Sequence, residues 1–224
     1  MIKLGTPELN NLRQIDRIKR VSVFKSQVIN LDEDFYAQIL NKDMRVLDVG
    51  KSLRDKSGFV SSKVSSLETL DINASSDYPD IQMDLCEKLE VPSNLRYDLI
   101  FCFSLLEHCY NPFTAANNLY KLLKQNSRII GSVPFLFPHH CPKDLVYQDY
   151  FRFTKDSFIA LFPDAKKIEV RPHRGRIGAG LNIISQRYKD IFEKSLPRLA
   201  SHVNSLDQSR RPEQSSGFHF EVFN

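Results

Sequence analysis

The chain has 224 residues, 42% of them apolar and 26% charged, with 16 Phe, 8 Tyr and a formal net charge of +4. The aromatic content excludes a chain disordered throughout, and so small a net charge is no argument for nucleic acid by itself. Neither a run of about 18 apolar residues nor an apolar leader is found, so the expectation is a cytoplasmic protein without a membrane span or secretory signal.

In chain order, residues 1–43 read as an N-terminal helical cap. Its pattern breaks around 22–30 and resumes as a helix near Asp32, with Phe35, Ile39 and Leu40 on one side. Residues 44–224 read as one domain. Apolar runs bounded by turn residues predict seven strands there, at 46–50, 67–72, 81–85, 97–103, 127–134, 167–171 and 217–223. Apolar residues three and four apart predict helices between them, one opening at Asn111-Pro112 and carrying Phe113, Ala116, Leu119 and Leu123. A further helix is predicted over 181–200, stopped by Pro197. The polar stretch 205–216 is expected to be a mobile loop, with first proteolytic cleavage near Arg210 and Arg211. The last run alternates at period two, as a strand returning to the sheet would.

Strands alternating with helices, and a continuously apolar run at 99–103, call for a parallel sheet covered on both faces. The fold class expected is therefore α/β: a doubly wound, seven-stranded, mostly parallel sheet with an antiparallel C-terminal strand. Residues 44–165 carry 13 basic and 15 acidic side chains, whereas 166–224 carry 11 basic and 6 acidic. Such a basic flank is ordinarily a solvated helix face. Cys86, Cys102, Cys109 and Cys141 show no C-x-x-C spacing, so reduced thiols are expected rather than a zinc knuckle or disulfides.

Chemistry begins at Arg45-Val-Leu-Asp-Val-Gly50, a strand ending in an acid and a glycine. In open α/β sheets ligands sit beyond the carboxyl ends of the strands. Asp71, 23 residues after Asp48, ends the second strand, where a carboxylate can accept both hydroxyls of a ribose. Asp84 ends the third. Three strands thus deliver three carboxylates to one sheet edge, which would repel a phosphate and suits a cationic, ribose-bearing ligand. A P-loop reading of Gly50-Lys51-Ser52 fails because position 45 is Arg, and the G-x-G-x-x-G turn of NAD-linked dehydrogenases is absent.

VLDVG, the LDI of strand two, the MDL of strand three, YDLIFCFSLLEH at 97–108, Asn111-Pro112-Phe113 and LLKQNSRIIGSVP at 122–134 together resemble the class I S-adenosylmethionine-dependent methyltransferases. FLFPHH at 135–140 followed by DYFRFT at 149–154 is similar to a subgroup of small bacterial methyltransferases linked to cell-surface sugar pathways. The resemblance implies that Asp48 and Gly50 form the turn near the methionine part of S-adenosylmethionine, and that Asp71 holds its ribose. It further implies that Asp84 and the Leu85 backbone flank the adenine, and that Phe103 and Ser104 lie beneath the sulfonium. One departure stands out: of the usual D-x-G-x-G-x-G, the chain keeps only the first glycine and reads Asp48-Val-Gly-Lys-Ser-Leu-Arg54.

Candidate bases for an acceptor hydroxyl are His108, after strand four, and His139 and His140, on a loop beyond strand five, with the loop pair favoured. His139, His140 and Cys141 are adjacent in sequence and poorly placed to converge on one tetrahedral ion, so no metal is expected. Glu107, Asp149, Tyr150 and Arg152 are candidate acceptor-binding residues, Arg152 either as an anion fork or as a partner of Asp149. The function expected is methyl transfer to an oxygen or nitrogen of a small-molecule acceptor, which the subgroup resemblance implies is of sugar type. The alternatives are a catalytically impaired methyltransferase-like binding protein, suggested by the missing glycines, and an RNA methyltransferase, suggested by the basic flanks; nucleic acid ranks low, and oligomeric state is left open.

Overall fold

The computed structural model describes residues 21–23, 31–90, 92, 95–141, 148–173, 175–210 and 214–224. In chain order the elements are β1 (Val21–Val23), α1 (Glu33–Ile39), β2 (Arg45–Val49), α2 (Ser57–Ser61), β3 (Ser66–Asp71), β4 (Ile81–Gln82), β5 (Tyr97–Phe103), α3 (Pro112–Lys121), β6 (Leu123–Pro134), α4 (Ser157–Leu161), β7 (Lys167–Pro172), α5 (Arg176–Ile184), α6 (Gln186–Ser195), α7 (Pro197–Arg210) and β8 (Gly217–Phe223). The strands form one sheet in the order β1-β7-β8-β6-β5-β2-β3-β4. All neighbours are parallel except β8, which runs antiparallel to both β6 and β7 and brings Phe220 opposite Gly131 and Val170.

All seven expected strands are present, β4 being shorter than the apolar run that announced it. Alternation along them divides the core between the sheet's two faces. Leu47 and Val49 join a cluster with Ile100, Leu119 and Phe220, while Val46 joins Tyr36, Leu53, Leu99 and Phe101 in a second. Both faces are covered, which is why the strands read as almost continuously apolar. Asp32 caps α1 by accepting the amide of Phe35 at 3.0 Å, and Asn111 caps α3 by accepting that of Thr114 at 3.2 Å with Pro112 in the first helical position.

Three expectations are corrected. Where the helical pattern of the N-terminal segment breaks, Val21–Val23 is an unexpected eighth, edge strand, parallel to β7; a three-residue strand is too short to show a period. The single helix expected over 181–200 is divided among α5, which ends at Ile184, α6, which does stop at Ser195 before Pro197, and α7, which Pro197 opens from a position where its missing amide hydrogen costs nothing. The stretch 205–216 is not one loop: residues 205–210 complete α7, and Ser215 and Ser216 are buried. Neither Gly nor Pro interrupts the sequence from 198 to 210, so nothing in it breaks a helix, however polar. Of the cleavage sites expected there, Arg210 is helical and Arg211 lies outside the described residues. The helical cap over residues 1–20 also lies outside them. Among the described residues no helix is long and apolar enough to cross a membrane. The four cysteines carry free thiols, three of them buried.

Candidate functional site

The carboxyl ends of β2, β3 and β5 open onto a cleft of about 600 Å³. At its head Gly50 adopts φ 66°, a left-handed turn that favours glycine, and a Cβ there would lie 2.4 Å from Leu105 Cδ1 and push that side chain aside. The next residues make do without glycine. Lys51 and Arg54 hold φ 53° and 50°, conformations that cost a non-glycine residue about 1 kcal/mol or more each. Ser52 donates its hydroxyl to Val49 O at 2.5 Å and accepts the Phe103 amide at 2.7 Å, tying the β2 and β5 loops together. Where the glycine-rich loop would bring bare backbone, this chain has a hydroxyl bridge.

Asp71 lies on the cleft wall at the tip of β3. Its Oδ1 accepts the Asn73 amide at 2.9 Å, and its Oδ2 accepts the Tyr78 hydroxyl at 2.8 Å. Lys51 Nζ stands 4.2 Å above the Tyr78 ring, closing this corner. Tyr78 was not singled out in the sequence, and a lone tyrosine in a turn gives no signal by which to find it. Asp84 and Leu85 also line this cleft, Asp84 accepting the Cys86 amide at 2.8 Å.

Asp48 is placed differently from its neighbours. It is buried, lines neither this cleft nor the next, and accepts the Leu53 amide at 3.2 Å, so it braces the turn from beneath. Burial raises its carboxyl to about 6 despite the opposing hydrogen bonds from Leu53 and Ser52. A carboxyl raised on folding favours the folded state most below its unfolded value near 3.9, and that contribution is lost as pH rises through about 6. Asp48→Asn keeps the acceptor oxygen without the charge. Melting curves of the two proteins should therefore diverge as pH rises from 4 to 7, the variant falling less; parallel curves would contradict the assignment.

A second cleft, of about 440 Å³, shares Gly50, Lys51, Arg54, Ser104 and His108 with the first and continues past Phe103 toward Ser132, His173 and Gly217. Ser104 sits at the junction with φ 50°, its amide donating to Ser132 O at 2.9 Å. Of the adjacent histidines, His140 lines this cleft, whereas His139 is exposed and lines neither. His140 Nε2 is 3.5 Å from Glu107 Oε1, and its Nδ1 is 3.2 Å from Asp149 Oδ2. His108 Nε2 lies 4.0 Å from the same Glu107 oxygen while its Nδ1 meets Gln148 O at 2.8 Å.

Glu107 is fully buried, and neither of its oxygens has a hydrogen-bond partner among the described residues. Its carboxylate raises the pKa of His140, an effect that burial opposes and Asp149 reinforces. Asp149 is held well below the usual carboxylate range chiefly by the Arg152 fork, which also donates to Phe137 O at 3.1 Å and Pro138 O at 2.9 Å. Arg152 is thus fully engaged in ordering the loop and lines neither cleft, as does Asp149 behind it. Tyr150 stands half-exposed on the rim of the first cleft and donates its amide to Glu107 O at 2.8 Å. Ligand atoms of Glu107, His108 and His140 all lie within 4.8 Å of one another, a set different from the His139-His140-Cys141 run weighed in the sequence.

Neither a protein-family model nor a curated protein sequence matches the chain significantly. Solved structures do. An S-adenosylmethionine-dependent methyltransferase from Mesorhizobium loti superposes with a TM-score of 0.50 at 12% identity, over 87% of this chain and 99% of that one. The chain has the class I S-adenosylmethionine-dependent methyltransferase fold. The [4+2]-cyclase SpnF superposes at 0.48 with 12% identity, over 96% of this chain and 91% of that one. Phosphoethanolamine N-methyltransferase 2 of Haemonchus contortus, crystallised with S-adenosylmethionine, superposes at 0.45 with 13% identity over 82% of this chain; the chain spans only 48% of that protein's length. In this methyltransferase fold the two clefts lie at the carboxyl edge of the sheet, where open α/β folds bind ligands.

Proposed function

We propose that the chain is an S-adenosylmethionine-dependent methyltransferase acting on an oxygen or nitrogen of a small-molecule acceptor, with cofactor in the first cleft and acceptor in the second. The observation that carries this reading is the joint between the clefts: Gly50, Ser104 and His108 border both, so ligands seated in the two can meet there. The residues present suit the cofactor. Asp71 offers two carboxylate oxygens to ribose hydroxyls, Met83 and Leu85 give an apolar wall beside Asp84 for adenine, and the glycine at 50 keeps a side chain out of the turn. When bound, the cofactor supplies an electrophilic methyl on a sulfonium.

The chain's own residues then align the nucleophile and take its proton. His140 is the proposed general base, its neutral Nε2 receiving the proton and Glu107 stabilising the imidazolium so formed. Asp149 and Arg152 position it. His108, tied to Gln148 O, serves as the second polar wall, and His139 has no part. Calorimetric titration with S-adenosylmethionine and S-adenosylhomocysteine tests the cofactor assignment: 1:1 binding of both is expected, and absence of binding by either contradicts it. Binding without methyl transfer to any acceptor would instead favour the impaired binding protein.

A further inference from the structure

The loop that lost its glycines places two cations at the joint between the clefts, and they are not equivalent. Lys51 lies over the Tyr78 ring on the side of Asp71. Arg54 stands where the third glycine of D-x-G-x-G-x-G would be and has a left-handed backbone at φ 50°. It is exposed, borders both clefts, and its guanidinium makes no hydrogen bond or ion pair among the described residues. Arg152, the sequence's candidate for gripping an anion, is by contrast saturated by Asp149, Phe137 O and Pro138 O.

The second cleft is also lopsided in charge. Lys51, Arg54 and three histidines line it against one carboxylate, Glu107, which already faces two of those histidines. A left-handed arginine where glycine would be unstrained is the sort of local strain that persists at functional positions. Resting on the assignment of the second cleft to the acceptor, we infer that the acceptor carries an anionic group, phosphate or carboxylate, which the Arg54 guanidinium grips from the joint between the clefts. A planar fork with five donors matches either anion in two-pronged fashion, and the Lys51 and Arg54 cations at the joint draw such ligands in.

The same guanidinium could reach an anion from either of two sources, the acceptor or the cofactor's own carboxylate. Titration of wild type and Arg54→Gln separates them, using inorganic pyrophosphate and malonate as anion probes in the presence and absence of saturating S-adenosylhomocysteine. The expected result is salt-sensitive binding of at least one probe to the wild-type protein with S-adenosylhomocysteine bound, weakened tenfold or more in Arg54→Gln and partly restored in Arg54→Lys. Affinity for S-adenosylhomocysteine itself should change by less than about threefold, well short of losing a charge-assisted bond. The inference is overturned if wild type binds neither probe, if Arg54→Gln binds them equally well, or if the variant loses S-adenosylhomocysteine tenfold, which would make Arg54 a cofactor ligand. Failure of S-adenosylhomocysteine to bind wild type would instead refute the cofactor reading, and the anion titration without it would still report on Arg54.

Discussion

Replacing Asp71 by Ala should weaken S-adenosylmethionine and S-adenosylhomocysteine binding roughly tenfold to a hundredfold while leaving the protein folded. Hydrogen bonds to a charged group contribute about 1.5–3 kcal/mol, and each 1.4 kcal/mol is about a factor of ten in affinity. Asp71 ends a strand, and its partners Asn73 and Tyr78 belong to the adjoining loop, so the core does not depend on it. Oδ1 already accepts the amide and the side chain of Asn73 and Oδ2 the Tyr78 hydroxyl, so one ribose hydroxyl finds a free lone pair on Oδ2 and the other takes the place of the Asn73 side chain. Calorimetry on a variant with an unchanged circular dichroism spectrum gives the measurement. Unchanged affinity would place the ribose elsewhere.

The second large effect concerns His140. With acceptor and saturating cofactor, His140→Ala should lower turnover by ~10² to 10⁴, the usual worth of a general base, while His139→Ala leaves it near wild type. The pH profile gives an independent check. His140 must be neutral to accept a proton, and the carboxylate of Glu107 raises its pKa. Rate should therefore climb with pH through an acid limb above the ordinary histidine value of about 6.5. Glu107→Gln should move that limb to lower pH. The same shift has a stability consequence of opposite sense: stabilisation by the protonated pair is complete below the unfolded value and is lost as pH rises through the folded one. Full activity in His140→Ala would leave alignment alone as the source of catalysis, and a limb that ignores Glu107→Gln would show that Glu107 does not tune the base.

Much of this was legible in the sequence because burial on both sheet faces writes itself as apolar runs, which fix the strand end carrying Asp71; Asp84, expected to end the third strand, lies two residues beyond β4. The edge strand β1 was not, being three residues long with basic segments around it. The part of helix α7 from residue 205 on was misread because its polar composition resembles a loop and only helix propensity marks it. At 139–140 two adjacent histidines in an extended loop point to different sides, so pattern alone could not tell which enters the cleft. Asp48 looked equivalent to Asp71 in spacing, yet it lies before the end of its strand and turns beneath the loop instead of into the cleft. The degenerate glycine loop was legible as a departure but not as a solution: only coordinates show Ser52 bridging Val49 to Phe103 and Arg54 holding a glycine's backbone angle.

The central claim, cofactor in the first cleft and acceptor in the second, is tested most directly by a crystal structure with S-adenosylhomocysteine. The account predicts ribose hydroxyls on the Asp71 carboxylate, the adenine between Met83, Asp84 and Leu85, and the sulfur at Ser104, facing His140 across the second cleft. S-adenosylhomocysteine found in the second cleft, or a ribose out of reach of Asp71, would contradict it.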